Sequence, residues 1–181
     1  IETGITELAE VTVNSGRRKF YRTSSETVAR MPLKNLENPQ VYNTITSSLL
    51  QEQVITQFDD ALKNAPGIDK LWTSTGRGGD GAAYFSLRGF SVQPSMINGI
   101  AGLSNGGLDP ANIERIEVIK GPSGTLFGSS LVSFGGLINL QTKRPYDTIG
   151  GEISYTGGGF GLNRLTADIN SPLNKSKTAL F

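Results

Sequence analysis

Ile113-Glu114-Arg115-Ile116-Glu117-Val118-Ile119-Lys120-Gly121-Pro122-Ser123-Gly124-Thr125-Leu126-Phe127-Gly128 is the stretch from which the fold is best read. Its β-branched residues predict a strand over Ile116 to Lys120, and Gly121-Pro122 ends it. The run from Lys120 to Gly128 is glycine-rich, and glycines allow backbone N–H groups to converge on an anion. It lacks the GK[ST] ending of a phosphate loop, and no lysine is placed to reach a phosphate. Local chemistry favours a glycine-rich turn between two strands, with a short helical turn over Pro122 to Leu126. The second strand is Leu137 to Lys143. Upstream, Asp109-Pro110-Ala111-Asn112 reads as a helix start, with aspartate as N-cap and proline at the first helical position.

Further out, Ala83 to Phe90 and Ser95 to Ile100 are apolar or β-branched runs bounded by turns, and both read as strands. Leu50, Val54, Phe58 and Ala61/Leu62 recur at three- and four-residue spacing, which predicts one helix over residues 47–64. Ser48 followed by Gln51 suggests a capping box, and Ala65-Pro66-Gly67 stops the helix. Trp72 reads as a core or packing anchor. Residues 1–40 read as an extended, mobile lead-in, polar from Arg17 to Gln40, with one β-prone run at Glu10-Val11-Thr12-Val13. The expected class is α+β: a small domain with a mixed four-stranded sheet and flanking helices.

Residues 150–181 change character. Glu152-Ile153-Ser154-Tyr155-Thr156 alternates polar with apolar, and so does Arg164-Leu165-Thr166-Ala167-Asp168-Ile169-Asn170, across a glycine turn. Two structures share that pattern. One is a barrel wall with lipid outside and a wet lumen; the other is a soluble hairpin with one buried face.

Composition removes the commonest enzyme classes. The 181 residues include no cysteine and no histidine, so disulfides, thiolate or histidine zinc sites and Ser-His-Asp or Cys-His catalytic sets are absent. Asp59 and Asp60 are adjacent on the expected helix and point to different faces, which does not suit paired-carboxylate catalysis. Neither an enzymatic activity nor a cofactor is expected. Net charge is +1, from 17 basic and 16 acidic residues, so nucleic-acid binding has no electrostatic support. Glycine, 23 of 181, is nearly twice the usual ~7% and clusters beside short apolar runs, which means many tight turns. No run of about 18 apolar residues exists for a membrane helix. The N-terminus carries no signal-peptide pattern, as expected of a mature or trimmed chain.

Taken together, Ile113 to Gly124, Leu126-Phe127-Gly128, Gly135-Gly136-Leu137-Ile138-Asn139-Leu140 and Thr142-Lys143-Arg144-Pro145 resemble the plug signature of TonB-dependent receptors, "IERIEVIKGP…LFG…GGxIN…TKRP". Asp60-Ala61-Leu62-Lys63-Asn64-Ala65-Pro66-Gly67-Ile68 resembles that family's "DALxxxPGV" segment. Phe85-Ser86-Leu87-Arg88-Gly89-Phe90 resembles its "RGF" strand. The match covers about residues 40–146 in the correct order. Asn98-Gly99 stands where the family often has Asp-Gly, and the segment Ser129 to Phe134 is longer than in many members.

The resemblance implies a plug filling a 22-stranded outer-membrane barrel of a Gram-negative bacterium, with its N-terminus in the periplasm. It divides the chain into a lead-in (1–39), a plug (40–146) and the start of a truncated barrel (147–181). Without the rest of a barrel, residues 150–181 are expected to be disordered or to pair as a non-native edge hairpin. The implied function is active import of a ferric siderophore. TonB, in the inner-membrane complex, would pull on a TonB box, for which Glu10, Val11, Thr12 and Val13 are the candidates; an extended segment can add as an edge strand to a partner sheet. Arg88, Glu114, Arg115, Glu117 and Lys120 are the candidate latch between plug and barrel wall, since unpaired buried charge is costly. Arg77, Gln93 and Asn105 lie on the candidate substrate-facing loops. Each of these side chains has a plainer reading as well: a solvated strand face, local pairing within the plug, or ordinary loop polarity. Competing functions are a soluble periplasmic ligand-binding or adaptor domain, or a receptor of the same family for cobalamin, haem or a glycan.

Overall fold

The computed structural model describes residues 20, 22, 24–28, 30–31, 33–34, 36–77, 81–102, 108–127, 134–172 and 179–180. Glu10 to Val13 and Asn105 lie outside the described residues.

The centre is a five-stranded mixed sheet, one strand more than expected. Its middle strand is β9 (Ile113–Lys120), flanked by β3 (Val41–Thr46) and β10 (Gly136–Thr142), both antiparallel to it. β7 (Pro94–Ile97) runs parallel to β10, and β8 (Ile100–Ala101) closes the edge. β8 returns on β7 through Asn98-Gly99, both at positive φ (53° and 77°), the geometry that tight hairpins require. A second sheet of three strands follows the order β4 (Ile68–Trp72), β5 (Tyr84–Leu87), β6 (Phe90–Val92). β1 (Ser24–Ser25) and β2 (Leu33–Lys34) form a small antiparallel pair in the lead-in.

Paired residues on neighbouring strands point to the same side, so the register divides the central sheet into two faces. One face carries Ile45, Ile116, Val118, Ile138 and Leu140. These pack with Leu50, Phe58, Leu62, Phe85 and Leu87 in the main core. The other face carries Ile119 and Leu137 at one end and Glu117, Asn139 and Gln141 towards the other, all buried. Its apolar end packs with Val28, Met96 and Phe127.

The expected single helix is two. α1 (Ser47–Glu52) ends at Gln53, Val54 takes a left-handed φ of 52° and is exposed, and α2 (Phe58–Ala61) starts afresh. Rotating the chain at Val54 lets Leu50 and Phe58 both reach the core, at the cost of strain for a β-branched residue. The cap is Thr46, whose Oγ1 accepts from the Leu49 N–H at 3.4 Å, in place of the Ser48 box. The helix over residues 122–126 is observed as α3 (Gly124–Phe127), and Asp109 caps a short 3-10 turn at Pro110–Asn112. Trp72 is 65% exposed, so it is not a core anchor.

The Gly135-Gly136 pair has a steric reason. Gly136 has φ 145°, and a Cβ there would overlap the Ile119 carbonyl and lie 2.6 Å from Leu87 Cδ2. Only glycine lets β10 begin this close to β9 and the β5–β6 turn.

Residues 150–172 are not unstructured. β11 (Gly150–Gly157) and β12 (Asn163–Pro172) pair antiparallel, and β13 (Ala179–Leu180) adds to β12. Among the described residues, no helix is long and apolar enough to cross a membrane, which says nothing about strands.

Candidate functional site

The hairpin β11–β12 settles one local question by its polarity. Glu152, Ser154, Thr156, Arg164, Thr166 and Asp168 share one face by register. That face meets the central domain: Arg164 is ion-paired with Asp109, Lys143 Nζ lies 2.5 Å from Asp168, and Gln51 Nε2 donates to Glu152 at 3.4 Å. The opposite face carries Ile153, Tyr155, Leu165 and Ile169, between 67% and 73% exposed. A soluble hairpin buries its apolar face; this one turns it outward.

Between the two bodies lies a cavity of about 510 Å³, with Ser47, Gln51, Asn112, Lys143, Glu152 and Thr166 among its lining residues. Asn170, fully buried, sews the linker to β12. Its amide donates to the Tyr146 and Thr148 carbonyls (2.7 and 2.6 Å) and accepts from the Tyr146 N–H at 3.1 Å. The Arg164 hydrogen bond holds the Asp109 carboxyl below its ordinary value, against the opposing effect of partial burial.

Glu117 is the most constrained charge among the described residues. Its side chain is fully buried in β9. Oε1 accepts from Ser25 Oγ at 2.5 Å and Arg115 Nε at 3.0 Å. Oε2 accepts from Thr27 Oγ1 and from Asn139 Nδ2 at 2.8 Å. Four donors saturate the carboxylate, which is the condition for burying it at tolerable cost. Two of them come from the lead-in, 92 and 90 residues earlier in the chain.

The other sequence candidates separate into two groups. Glu114, Arg115 and Glu117 pair inside the domain: Arg115 with both glutamates (3.3 and 3.0 Å), and Glu114 also with Arg22 at 3.8 Å. None of these three pairs reaches β11 or β12. Arg88 and Lys120 have no ion-pair partner among the described residues. Arg88 sits at positive φ in the β5–β6 turn, its guanidinium against Gly121. Lys120 ends β9, in register with Val41 and Gly136.

The loops are pinned from below. Asp59, buried at the start of α2, accepts from the Ser74 N–H at 2.7 Å, and Ser74 Oγ donates to the Gly81 carbonyl at 2.7 Å. Gly81 N–H donates to the Arg77 carbonyl at 2.9 Å, closing the loop on itself. Arg77 is exposed. Gln93 Nε2 donates to the Ala82 carbonyl at 3.4 Å, so it ties two loops together. Asp60, next to Asp59, points away and pairs with Lys70 at 3.5 Å. Sequence reasoning missed Asp59, Asn170, Ser25 and Thr27. Only Asp59 carried a local signal, as one of two adjacent carboxylates expected to face opposite ways.

A small mixed-sheet domain, tied by ion pairs to a hairpin with its apolar side outward, defines a plug seated against the opening strands of a β-barrel. The chain belongs to the family described as TonB-dependent Receptor Plug Domain, which matches residues 34–134. It is 36% identical over 139 residues to the catecholate siderophore receptor Fiu of Escherichia coli K12, covering 73% of this chain and 18% of that protein. It is 29% identical over 174 residues to the ferripyoverdine receptor of Pseudomonas aeruginosa PAO1, covering 94% of this chain and 21% of that protein. The crystal structure of the outer-membrane ferripyoverdine receptor of Pseudomonas aeruginosa bound to ferripyoverdine is similar, with a TM-score of 0.74 at 28% identity, over 85% of this chain and 21% of that one. The chain thus spans about a fifth of the length of these relatives.

Proposed function

We propose that the chain is the plug and first wall strands of an outer-membrane receptor that imports a ferric siderophore by a TonB-driven pull on its lead-in. The observation that carries this reading is the outward apolar face of β11–β12, opposite a polar face paired to the plug. That arrangement suits a strand pair with hydrocarbon on one side and a wet lumen on the other. A soluble periplasmic binding domain has no use for it. The names of the matched receptors support a siderophore as cargo.

The proposed division is a lead-in over residues 1–39, a plug over 40–146 and barrel wall from 147. Glu10 to Val13 is the proposed TonB box, in the periplasm. Arg77, Gln93 and Asn105 belong to the proposed substrate-facing loops, where Arg77 offers a cation to an anionic chelate and Gln93 firms the loop base. Arg88 and Lys120 are proposed to meet wall carboxylates supplied by later strands. Glu114, Arg115 and Glu117, which pair within the plug, complete the proposed latch.

The test is deletion of Glu10 to Val13 in the intact receptor. Uptake of the ferric chelate should stop while surface binding persists. Continued uptake would contradict the assignment of the box.

A further inference from the structure

Asp59 is a buried carboxylate to which the import reading gives no task. It is 6% exposed, in the first turn of α2 between Phe58 and Asp60. Phe58 packs edge to face on Phe85, with ring centroids 6.4 Å apart, and Ala61 and Leu62 are buried in the same core. α2 is therefore a fixed anchor. From it Asp59 reaches the loop that joins β4 to β5, where its Oδ2 accepts the Ser74 N–H at 2.7 Å.

From Ser74 the bonding continues round the loop. Ser74 Oγ donates to the Gly81 carbonyl at 2.7 Å and accepts from the Gly76 N–H at 3.2 Å. The Thr75 N–H donates to the same Gly81 carbonyl at 3.0 Å, and the Gly81 N–H donates to the Arg77 carbonyl at 2.9 Å. Gly76 has a φ of 69°, and a Cβ on Gly81 would overlap the Arg77 backbone, so both positions need glycine. Gly81 is buried and Arg77 is exposed. The neck of the loop thus hangs on Asp59, with the Arg77 cation out in the open.

Charge is a costly filler for a core, tolerated where hydrogen bonds replace water. Acidic groups also stabilise a helix N-terminus. Asp60, exposed in the same turn and paired with Lys70 at 3.5 Å, already meets that need. What Asp59 adds is a fixed acceptor for the loop's neck.

We infer that Asp59 is a positioning residue for cargo binding: it holds Ser74 to Arg77 and Gly81 in the shape that presents Arg77 to an anionic chelate. This rests on the import reading above, through the place of Arg77 on a substrate-facing loop. A loop ordered in advance loses less freedom on binding. Where only a fraction of molecules holds the competent shape, apparent affinity falls by that fraction.

The test uses the intact receptor in lipid vesicles. Without cargo, Asp59→Ala should quicken amide exchange at Ser74, Thr75 and Gly76 about tenfold, the scale of one lost bond to a buried carboxylate. Exchange in β5 should stay slow. Asp59→Asn keeps an acceptor oxygen and should restore protection, and Asp60→Ala should leave it unchanged. Asp59→Leu, which keeps the bulk, replaces Asp59→Ala where alanine does not fold. Unaltered exchange, or no rescue by asparagine, would overturn the clamp.

Binding is then titrated with a ferric tris-catecholate, which is anionic, and a ferric tris-hydroxamate, which is neutral. Asp59→Ala should weaken the anionic chelate about tenfold and the neutral one little. In an Arg77→Ala background it should add nothing, because Asp59 acts through Arg77. Equal loss for both chelates, additive loss in that background, binding of the neutral chelate alone, or full affinity in Arg77→Ala would each overturn the positioning role. Binding of neither chelate refutes the import reading instead, and the exchange result then decides the clamp by itself.

Discussion

Replacing Ile153 by arginine separates the barrel wall from a soluble hairpin. Ile153 is 73% exposed, so a water-facing hairpin would lose almost no burial, and a surface substitution of this kind falls within about ±0.5 kcal/mol. β11 has eight residues; at about 3.3 Å each it is about 26 Å long. A tilt of about 40° gives about 20 Å of height, most of the ~25 Å apolar band of an outer-membrane barrel. Ile153 is fourth of the eight, opposite Ala167, and therefore lies near the midplane. There arginine costs about 2–4 kcal/mol, against about 0–1 near the interfaces. The assay is denaturant unfolding of the intact receptor in lipid vesicles, comparing Ile153→Arg with a substitution towards the strand end. A drop of about 2 kcal/mol or more for Ile153→Arg is expected, with a smaller one at the end. No difference from the wild type would mean that this face meets water, and the wall assignment would fall.

Gly136→Ala should destabilise the plug by at least about 2 kcal/mol, from left-handed strain plus overlap with the Ile119 carbonyl. Amide exchange across β10 measures it, and native-like protection would refute the steric argument. Arg88→Ala with Lys120→Ala in the intact receptor should raise permeability to large antibiotics; unchanged permeability would argue against a role in holding the plug. For Asp109 the folded-state pKa is depressed below 3.8 by the hydrogen bond from Arg164. Its stabilising contribution is therefore complete above that value and is lost as pH falls through the lowered one. The plug–wall contact should hold from pH 8 to about 5 and weaken below about 4, an effect that Asp109→Asn abolishes. Because Asp109 is 45% exposed, salt should blunt it.

Local chemistry fixed the parts of the fold that local chemistry can reach. β9 and β10 follow from β-branched runs with glycine and proline at their ends, and the 3-10 turn from the Asp109 cap. The break at Val54 was not legible, because Gln53 to Gln57 contains no glycine or proline and the apolar spacing runs straight through it. Tertiary packing of Leu50 and Phe58 decided it. Glu117 read as a candidate latch charge; its burial depends on two hydroxyls about ninety residues away, which no window of sequence connects. The polarity of β11–β12 was visible as alternation, but which face met the plug was not. The ion pairs to Asp109 and Lys143 supply that answer.

Import itself is tested most directly by radio-iron accumulation in cells carrying the intact receptor, offered a panel of ferric chelates, cobalamin and haem, with and without TonB. The account predicts saturable accumulation from one class of ferric chelate that ceases without TonB while surface binding remains. Accumulation that is indifferent to TonB, or binding confined to cobalamin, haem or a glycan, would contradict it.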